Sequence, residues 1–332
     1  MNQVHFADRF LEKIDEKRTP CIVGLDPAIE KIPLHLLKGD SFEDVANAFR
    51  EFNFAIIDKI HDLVPAIKPQ IAFYEKYGAE GLKAFKDTVD YARSKGLIVI
   101  GDGKRNDIGT TAQAYAEGHL GNVKTKSSSV PSINADALTV TPYLGSDGLK
   151  PFADVCKEYK KGMFILVKTS NPSSGEFQDR LIEMTEDEKI QLKELGVESI
   201  DKIPLYVSVA LQVNKYARQD KGKRGYSAIG AVVGATYPKQ AENLRKIMPN
   251  SIFLVPGYGS QGGTADDVVP CFNSDGYGAI VNSSRGIICA YEKNGNPENF
   301  AEAARESAKF MIKDINSALE RNGKLPETWK KT

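Results

Sequence analysis

Residues 97–115 read LIVIGDGKRNDIGTTAQAY. The apolar run Leu97–Gly101 predicts a strand buried on both faces. It leads directly into Asp102, Lys104 and Asp107, a D-x-K-x-x-D pattern. In an α/β barrel, side chains at the C-terminal ends of strands face the active site. Side chains alternate along a strand, so Asp102 and Lys104 are expected on one side of it. Three charges at a strand end are costly unless they pair or serve chemistry. A solvated charged loop would carry the same letters, so the pattern takes its meaning from its surroundings.

Seven further runs have the same short apolar character: Cys21–Leu25, Ala66–Lys68, Ala137–Thr141, Met163–Lys168, Ala228–Gly234, Ile252–Val255 and Ala279–Val281. Most are bounded by Gly, Pro or Asp, as buried parallel strands are. Between them lie amphipathic stretches. Val45, Phe49, Phe52, Ile56 and Ile60 fall on one helical face. Ser41, with Asp44 three residues on, is a helix-start signal. Phe300, Ala304, Ala308, Met311 and Ile315 repeat the spacing near the C-terminal end. Eight strands, each followed by a helix, predict a (β/α)₈ TIM barrel. An open doubly wound sheet would alternate in the same way. The 332 residues fit one barrel domain over 1–332, because such barrels routinely exceed about 200 residues. One stretch breaks the rhythm. Residues 173–204, after the fifth strand, are polar and charged. They read as an insertion, partly helical, on the C-terminal rim; the competing reading is a linker between two domains.

Lys plus Arg and Asp plus Glu both number 44, so the net charge is zero. That balance argues against a dedicated nucleic-acid or anionic-membrane binder. No apolar run approaches the roughly 20 residues that span a bilayer. The first twenty residues lack the apolar block of a signal peptide and read as an amphipathic helix. Cys21, Cys156, Cys271 and Cys289 are widely spaced and read as free thiols of a cytoplasmic protein. The four histidines show no metal-ligand spacing, so no metal site is expected.

Three other places carry candidate chemistry. Lys68 ends a short strand in I-K-P-Q; alone, such a lysine is more often a snorkelling surface residue. P-G-Y-G-S-Q-G-G (256–263) follows the seventh strand and N-S-S-R-G (282–286) the eighth. Glycines let backbone amides approach an anion, Arg285 can grip phosphate with two parallel hydrogen bonds, and these two loops form the phosphate site of many barrels. Asp26, in G-L-D-P at the end of the first strand, suits sugar hydroxyls and equally a helix cap or turn.

The set G-L-D-P, I-K-P-Q, D-x-K-x-x-D-I-x-x-T, T-S-N-P, P-G-Y-G-S-Q-G-G and N-S-S-R-G resembles the orotidine 5′-phosphate decarboxylase family, in family order from Gly24 to Gly286. The polar insertion resembles that of the longer branch of this family. The resemblance implies an alternating catalytic array of Lys68, Asp102, Lys104 and Asp107. It implies that Asp107, Ile108 and Thr111 reach across a homodimer interface into the partner's site. It implies that Ser170 bonds the pyrimidine ring, that Asp26 and Lys68 hold ribose hydroxyls, and that Gln261, on a loop whose Pro256 and Gly262 also touch substrate, and Arg285 on the next loop bind phosphate. The roles of Gln70 and Tyr258 stay open. The implied reaction converts orotidine 5′-monophosphate to UMP and CO₂ without cofactor, through a C6 carbanion protonated by Lys104. Competing readings are a magnesium-dependent phosphosugar enzyme of the same suprafamily, whose second strand ends in an acid rather than Lys68, a nucleotide sensor, and an interaction protein docking through the insertion.

Overall fold

The computed structural model describes residues 4–196 and 201–330. Among these, eight parallel strands close into a barrel in chain order: β1 (Cys21–Leu25), β2 (Ala66–Pro69), β3 (Ile98–Arg105), β4 (Ala137–Val140), β5 (Gly162–Lys168), β6 (Ser227–Val233), β7 (Ser251–Val255) and β8 (Ala279–Ser283). Pairing of β1 with β8, from Cys21 opposite Val281 to Val23 opposite Ser283, closes the ring. The closed barrel excludes the open doubly wound sheet, and every expected strand is present. The principal helices are α1 (Phe6–Lys17), α2 (Phe42–Ile60), α3 (Gly78–Ser94), α4 (Gly109–His119), α5 (Gly145–Tyr159), α6 (Glu186–Glu194), α7 (Leu205–Gln219), α8 (Pro238–Ile247) and α9 (Phe300–Arg321).

Local chemistry accounts for the helices that position the barrel. Ser41 and Asp44 form a reciprocal capping box at the start of α2, satisfying amides that the first turn leaves without partners. The apolar face Val45, Phe49, Phe52, Ile56, Ile60 is buried, as is Phe300, Ala304, Ala308, Met311, Ile315 of α9. The rings of Phe52 and Phe300 stack at 4.9 Å, which joins the last helix to the first barrel helix.

The barrel core has two sides. Val23, Ile67, Val99, Leu138, Ile165 and Phe253 pack outward against helices. Ile22, Ala66, Ile98, Phe164, Ile252 and Ile280 fill the interior, the alternation expected of strands covered on both faces. The amphipathic α1 is the interior's floor: Phe6, Phe10, Leu11 and Ile14 join that inner cluster. A Cβ on Gly162, at the start of β5, would lie 2.4 Å from the Phe6 ring. Arg9 of α1 bonds the buried Asp136, which precedes β4, at 2.7 Å. The N-terminal end of the barrel is thereby closed, and the C-terminal end is left for the site.

Two segments depart from simple expectation. β3 runs on to Arg105 instead of ending at Gly101. Its register with β4 shifts between Gly101 and Arg105, and Lys104 has φ 45°. Asp102 and Lys104 therefore share a face through a bulge-like break, not through regular strand alternation. Between β5 and α7, Leu181–Glu183 pairs antiparallel with Lys202–Pro204, and α6 lies between them with a Thr185–Glu188 capping box. Residues 197–200 of the expected insertion lie outside the described residues. On either side of it, β5 and β6 pair directly.

Candidate active site

The C-terminal ends of the strands surround an open cavity of about 1120 Å³. Its floor is a chain of charges. Lys68 Nζ donates to Asp102 Oδ2 at 2.6 Å, and Lys104 Nζ donates to Asp102 Oδ1 at 2.7 Å. Lys68 and Asp102 are 5% and 6% exposed, whereas the Lys104 side chain is half exposed, reaching into the cavity. Lys68 ends β2, where it pairs with Gly24 of β1, so it is a buried array member and not a snorkelling surface residue.

Burial works to raise the Asp102 carboxyl, but the charges of Lys68 and then Lys104 outweigh it and hold the group well below the ordinary carboxylate range. Burial works to lower Lys68, but the charges of Asp102 and Asp26 raise it instead. Lys68 and Asp102 are thus an ionised pair at neutral pH. Thr139 of β4 completes the floor. Its hydroxyl donates to Asp102 Oδ1 at 2.9 Å and accepts the Lys104 amide at 2.9 Å. That pair of bonds supports the positive φ of Lys104, a backbone conformation that costs of order 1–3 kcal/mol for a non-glycine residue. Nothing in A-L-T-V marks Thr139 as functional; its role exists only through the β3–β4 pairing.

The walls bring most of the expected residues together. Asp26, Ser170, Pro256, Gln261 and Arg285 all line the cavity. Asp26 Oδ1 and Asn282 Oδ1 are buried without a hydrogen-bond partner among the described residues; such atoms are costly unless a ligand engages them. Asn282 and Ser284 belong to N-S-S-R-G, yet sequence reasoning singled out only Arg285 there. Arg285 makes no ion pair among the described residues, which leaves its guanidinium for an anion. Gly24 leaves room for Ser284: a Cβ would lie 1.9 Å from Ser284 Oγ and 2.8 Å from its Cβ, so any larger residue displaces that side chain. Gln70 lines the cavity, while Tyr258 turns away and donates to Asp314 Oδ2 of α9 at 2.7 Å, tying the 256–263 loop to that helix.

Four expected residues do not line this cavity: Gly262, Asp107, Ile108 and Thr111. Gly262 sits on the exposed turn of its loop, with φ 92°. Asp107 has φ 98° and accepts its neighbour's amide, from Ile108, at 2.8 Å. Ile108 is 52% exposed and Thr111 is exposed. These three lie beside the array but outside the chain's own pocket. The insertion contributes Ser173, Ser174, Phe177 and Gln178 to the wall, none of which its composition distinguished. Among the described residues, no group of three or more His, Cys, Asp or Glu side chains gathers as metal ligands. No helix among them is long and apolar enough to cross a membrane. A separate cavity at the opposite end of the barrel, around Arg9, Arg93, Asp136 and Lys161, is occupied by the ion pairs that fix the floor.

Residues 19–303 match the model of the orotidine 5′-phosphate decarboxylase / HUMPS family. The chain belongs to this family. Among curated proteins, the orotidine 5′-phosphate decarboxylase of Rhodopirellula baltica is 46% identical over 288 residues, 86% of this chain and 87% of that protein. That of Caldicellulosiruptor saccharolyticus is 39% identical over 322 residues, 95% of this chain and 99% of that protein. Among solved structures, a putative orotidine 5′-phosphate decarboxylase from Streptomyces avermitilis superposes with a TM-score of 0.73 at 28% identity, covering 96% of this chain and 98% of that one. The Leishmania donovani OMP decarboxylase gives 0.67 at 28% identity, covering 95% and 98%. The family's name includes a second activity, HUMPS, yet both curated relatives carry the decarboxylase name, and Lys68 stands at the second strand end.

Proposed function

We propose that this chain decarboxylates orotidine 5′-monophosphate to UMP and CO₂, the last step of pyrimidine nucleotide synthesis, without a cofactor. The observation that carries the reading is the buried Lys68–Asp102–Lys104 array on the floor of a cavity whose walls hold Ser170, Gln261 and Arg285. A pocket built only to bind would not favour clustering these charges.

Loss of CO₂ leaves a carbanion at C6 of the pyrimidine. Lys104 supplies the cation beside it and then the proton. Its ammonium is held at 2.7 Å by Asp102, so no reorientation is needed as charge develops. Asp102 lies beside the departing carboxylate, and their repulsion is relieved as CO₂ leaves; this ground-state contribution is secondary. Lys68 keeps Asp102 ionised and, with Asp26, holds the ribose hydroxyls. Ser170 bonds the ring. Gln261, in the loop after β7 that Pro256 and Gly262 shape, and Arg285, after β8, hold the phosphate.

Enzymes lower barriers by up to about 23 kcal/mol for most slow reactions. One lysine does not supply that, so the binding energy of the remote phosphate is used to hold the closed, desolvated site. Asp107, Ile108 and Thr111 act across a homodimer interface; the exposure of Ile108 and Thr111, a few residues after Lys104, supports this. The working unit is then a dimer of single barrel domains spanning residues 1–332, each with the 173–204 insertion, in the cytoplasm.

The test is ultraviolet absorbance of orotidine 5′-monophosphate with EDTA-treated protein, with Lys104→Ala alongside. Loss of the substrate band with UMP appearing is expected, and the variant should lose at least about 10³-fold in kcat, the range of a positioned proton donor with electrostatic stabilisation. Tight UMP binding without turnover would instead identify a sensor. Activity abolished by EDTA and restored by magnesium would favour the phosphosugar enzymes.

A further inference from the structure

One buried charge has no part in this chemistry. Lys168 ends β5, two residues before Ser170, and is 0% exposed. Its Nζ donates to Asp179 Oδ1 at 2.7 Å and to Ser174 Oγ at 3.2 Å. It also lies 4.3 Å from the centre of the Tyr237 ring, within reach of a cation–π attraction. Withdrawing an ammonium from water is costly, and a well-packed apolar side chain is often neutral or better for stability. Stability alone therefore does not account for a lysine here.

What the ammonium holds together does account for it. Ser174 and Asp179 bracket Phe177 and Gln178, two residues of the cavity wall. Gln178 is locked to Thr169 by two bonds: the Thr169 amide donates to Gln178 Oε1 at 3.0 Å, and Gln178 Nε2 donates to Thr169 Oγ1 at 2.8 Å. Thr169 is the neighbour of Ser170. On the other side, Ser170's carbonyl accepts from Thr236 Oγ1 at 3.2 Å, and Tyr237, the ring under the ammonium, follows Thr236. Ser174 Oγ donates to the Tyr237 hydroxyl at 3.2 Å. One cation therefore ties the start of the insertion, its turn at Asp179 and the loop after β6 around the backbone of Ser170.

We propose that Lys168 is a positioning residue: its ammonium pins residues 171–179 against the barrel so that Gln178 fixes Ser170 at the pyrimidine end of the cavity and Phe177 walls that end. This gives the insertion a role in recognising the base, and it rests on the reading that Ser170 faces a pyrimidine ring. The phosphate grip on Arg285, in the loop after β8, shares no hydrogen bond with this network among the described residues.

The experiment compares binding of UMP with binding of ribose 5-phosphate, which lacks the base, by calorimetry on wild type, Lys168→Met, Asp179→Asn and the double variant, with KM and kcat for orotidine 5′-monophosphate. Lys168→Met is expected to weaken UMP about 10-fold or more, the value of a lost charge-assisted hydrogen bond, and ribose 5-phosphate by less than about 2-fold. Asp179→Asn should shift the ratio the same way, and the double variant should be no worse than the more affected single, because the two act through one contact. A general loss of stability would weaken both ligands together. An unchanged ratio in a folded Lys168→Met, or in Asp179→Asn should the lysine variant not fold, overturns the proposal. Wild-type protein that binds ribose 5-phosphate but not UMP overturns the functional reading itself.

Discussion

At the scale of single residues, the molecule places charges and small side chains where their surroundings leave no alternative. His119 ends α4 as a buried imidazole whose Nδ1 has no partner among the described residues. Burial, and then the charge of Arg105, push it down to about 4 from an ordinary 6.5. The folded state thus resists the proton that the unfolded chain accepts. Stability from this group is full above about pH 6.5 and is lost as pH falls toward about 4, on the order of 3 kcal/mol in all. Denaturant melts of wild type and His119→Gln across that window check the sign: the wild-type slope should disappear in the variant. Gly24 is the second case. Gly24→Ala puts a Cβ against Ser284, an overpacking worth about 1–3 kcal/mol. A Tm lower by a few degrees together with a raised KM is expected, because Ser284 is displaced from the cavity wall beside Arg285.

At the scale of elements, function comes from strand ends and the loops that follow them. The loops after β7 and β8 carry Gln261 and Arg285 into the wall of the same cavity as the charged array. Arg285→Ala should lower kcat/KM by about 10²- to 10³-fold, the value of two charge-assisted hydrogen bonds to a phosphate. Steady-state kinetics decide this; a variant that keeps near wild-type kcat/KM would remove Arg285 from the phosphate site. The strand ends also show where reading stops short. The Asp102–Lys104 pairing was legible as a motif, but the register shift that turns Lys104 back toward Asp102 was not, because it depends on which strand lies alongside β3 and on Thr139 within it.

At the scale of the whole molecule, one end of the barrel is sealed and the other works. α1 fills the N-terminal mouth with Phe6 and Phe10, and Arg9 and Arg93 both bond the buried Asp136. Asp107 lies outside the cavity that holds Lys68, Asp102 and Lys104, where a residue acting in a partner's site, as proposed, would stand. With sites shared between subunits, specific activity should fall on dilution below the dimer dissociation constant. Mixing inactive Lys104→Ala and Asp107→Asn dimers should restore about one quarter of wild-type activity after random re-association, because each mixed dimer keeps one intact site. Full activity from monomers verified by sedimentation would remove the cross-subunit assignment.

The sequence by itself determined the eight strands and the capped and amphipathic helices, because these follow from hydrophobic period and turn chemistry, all local properties; that the strands close into a barrel and not an open sheet was decided by the pairing of β1 with β8. Asp102, Lys104 and Arg285 were legible since each stands at the C-terminal end of a strand or in the loop that follows it, whereas Asp26, Lys68, Ser170 and Gln261 took their roles only from the family resemblance. Only the tertiary structure decided that Lys68 is a buried partner of Asp102, that Thr139 supports the Lys104 backbone, that Tyr258 braces a loop against α9, and that Lys168 and Gln178 join the insertion to the pocket wall. Each of these is a contact between elements far apart in the chain, and a pairing across the barrel leaves no periodic trace in either partner's own segment.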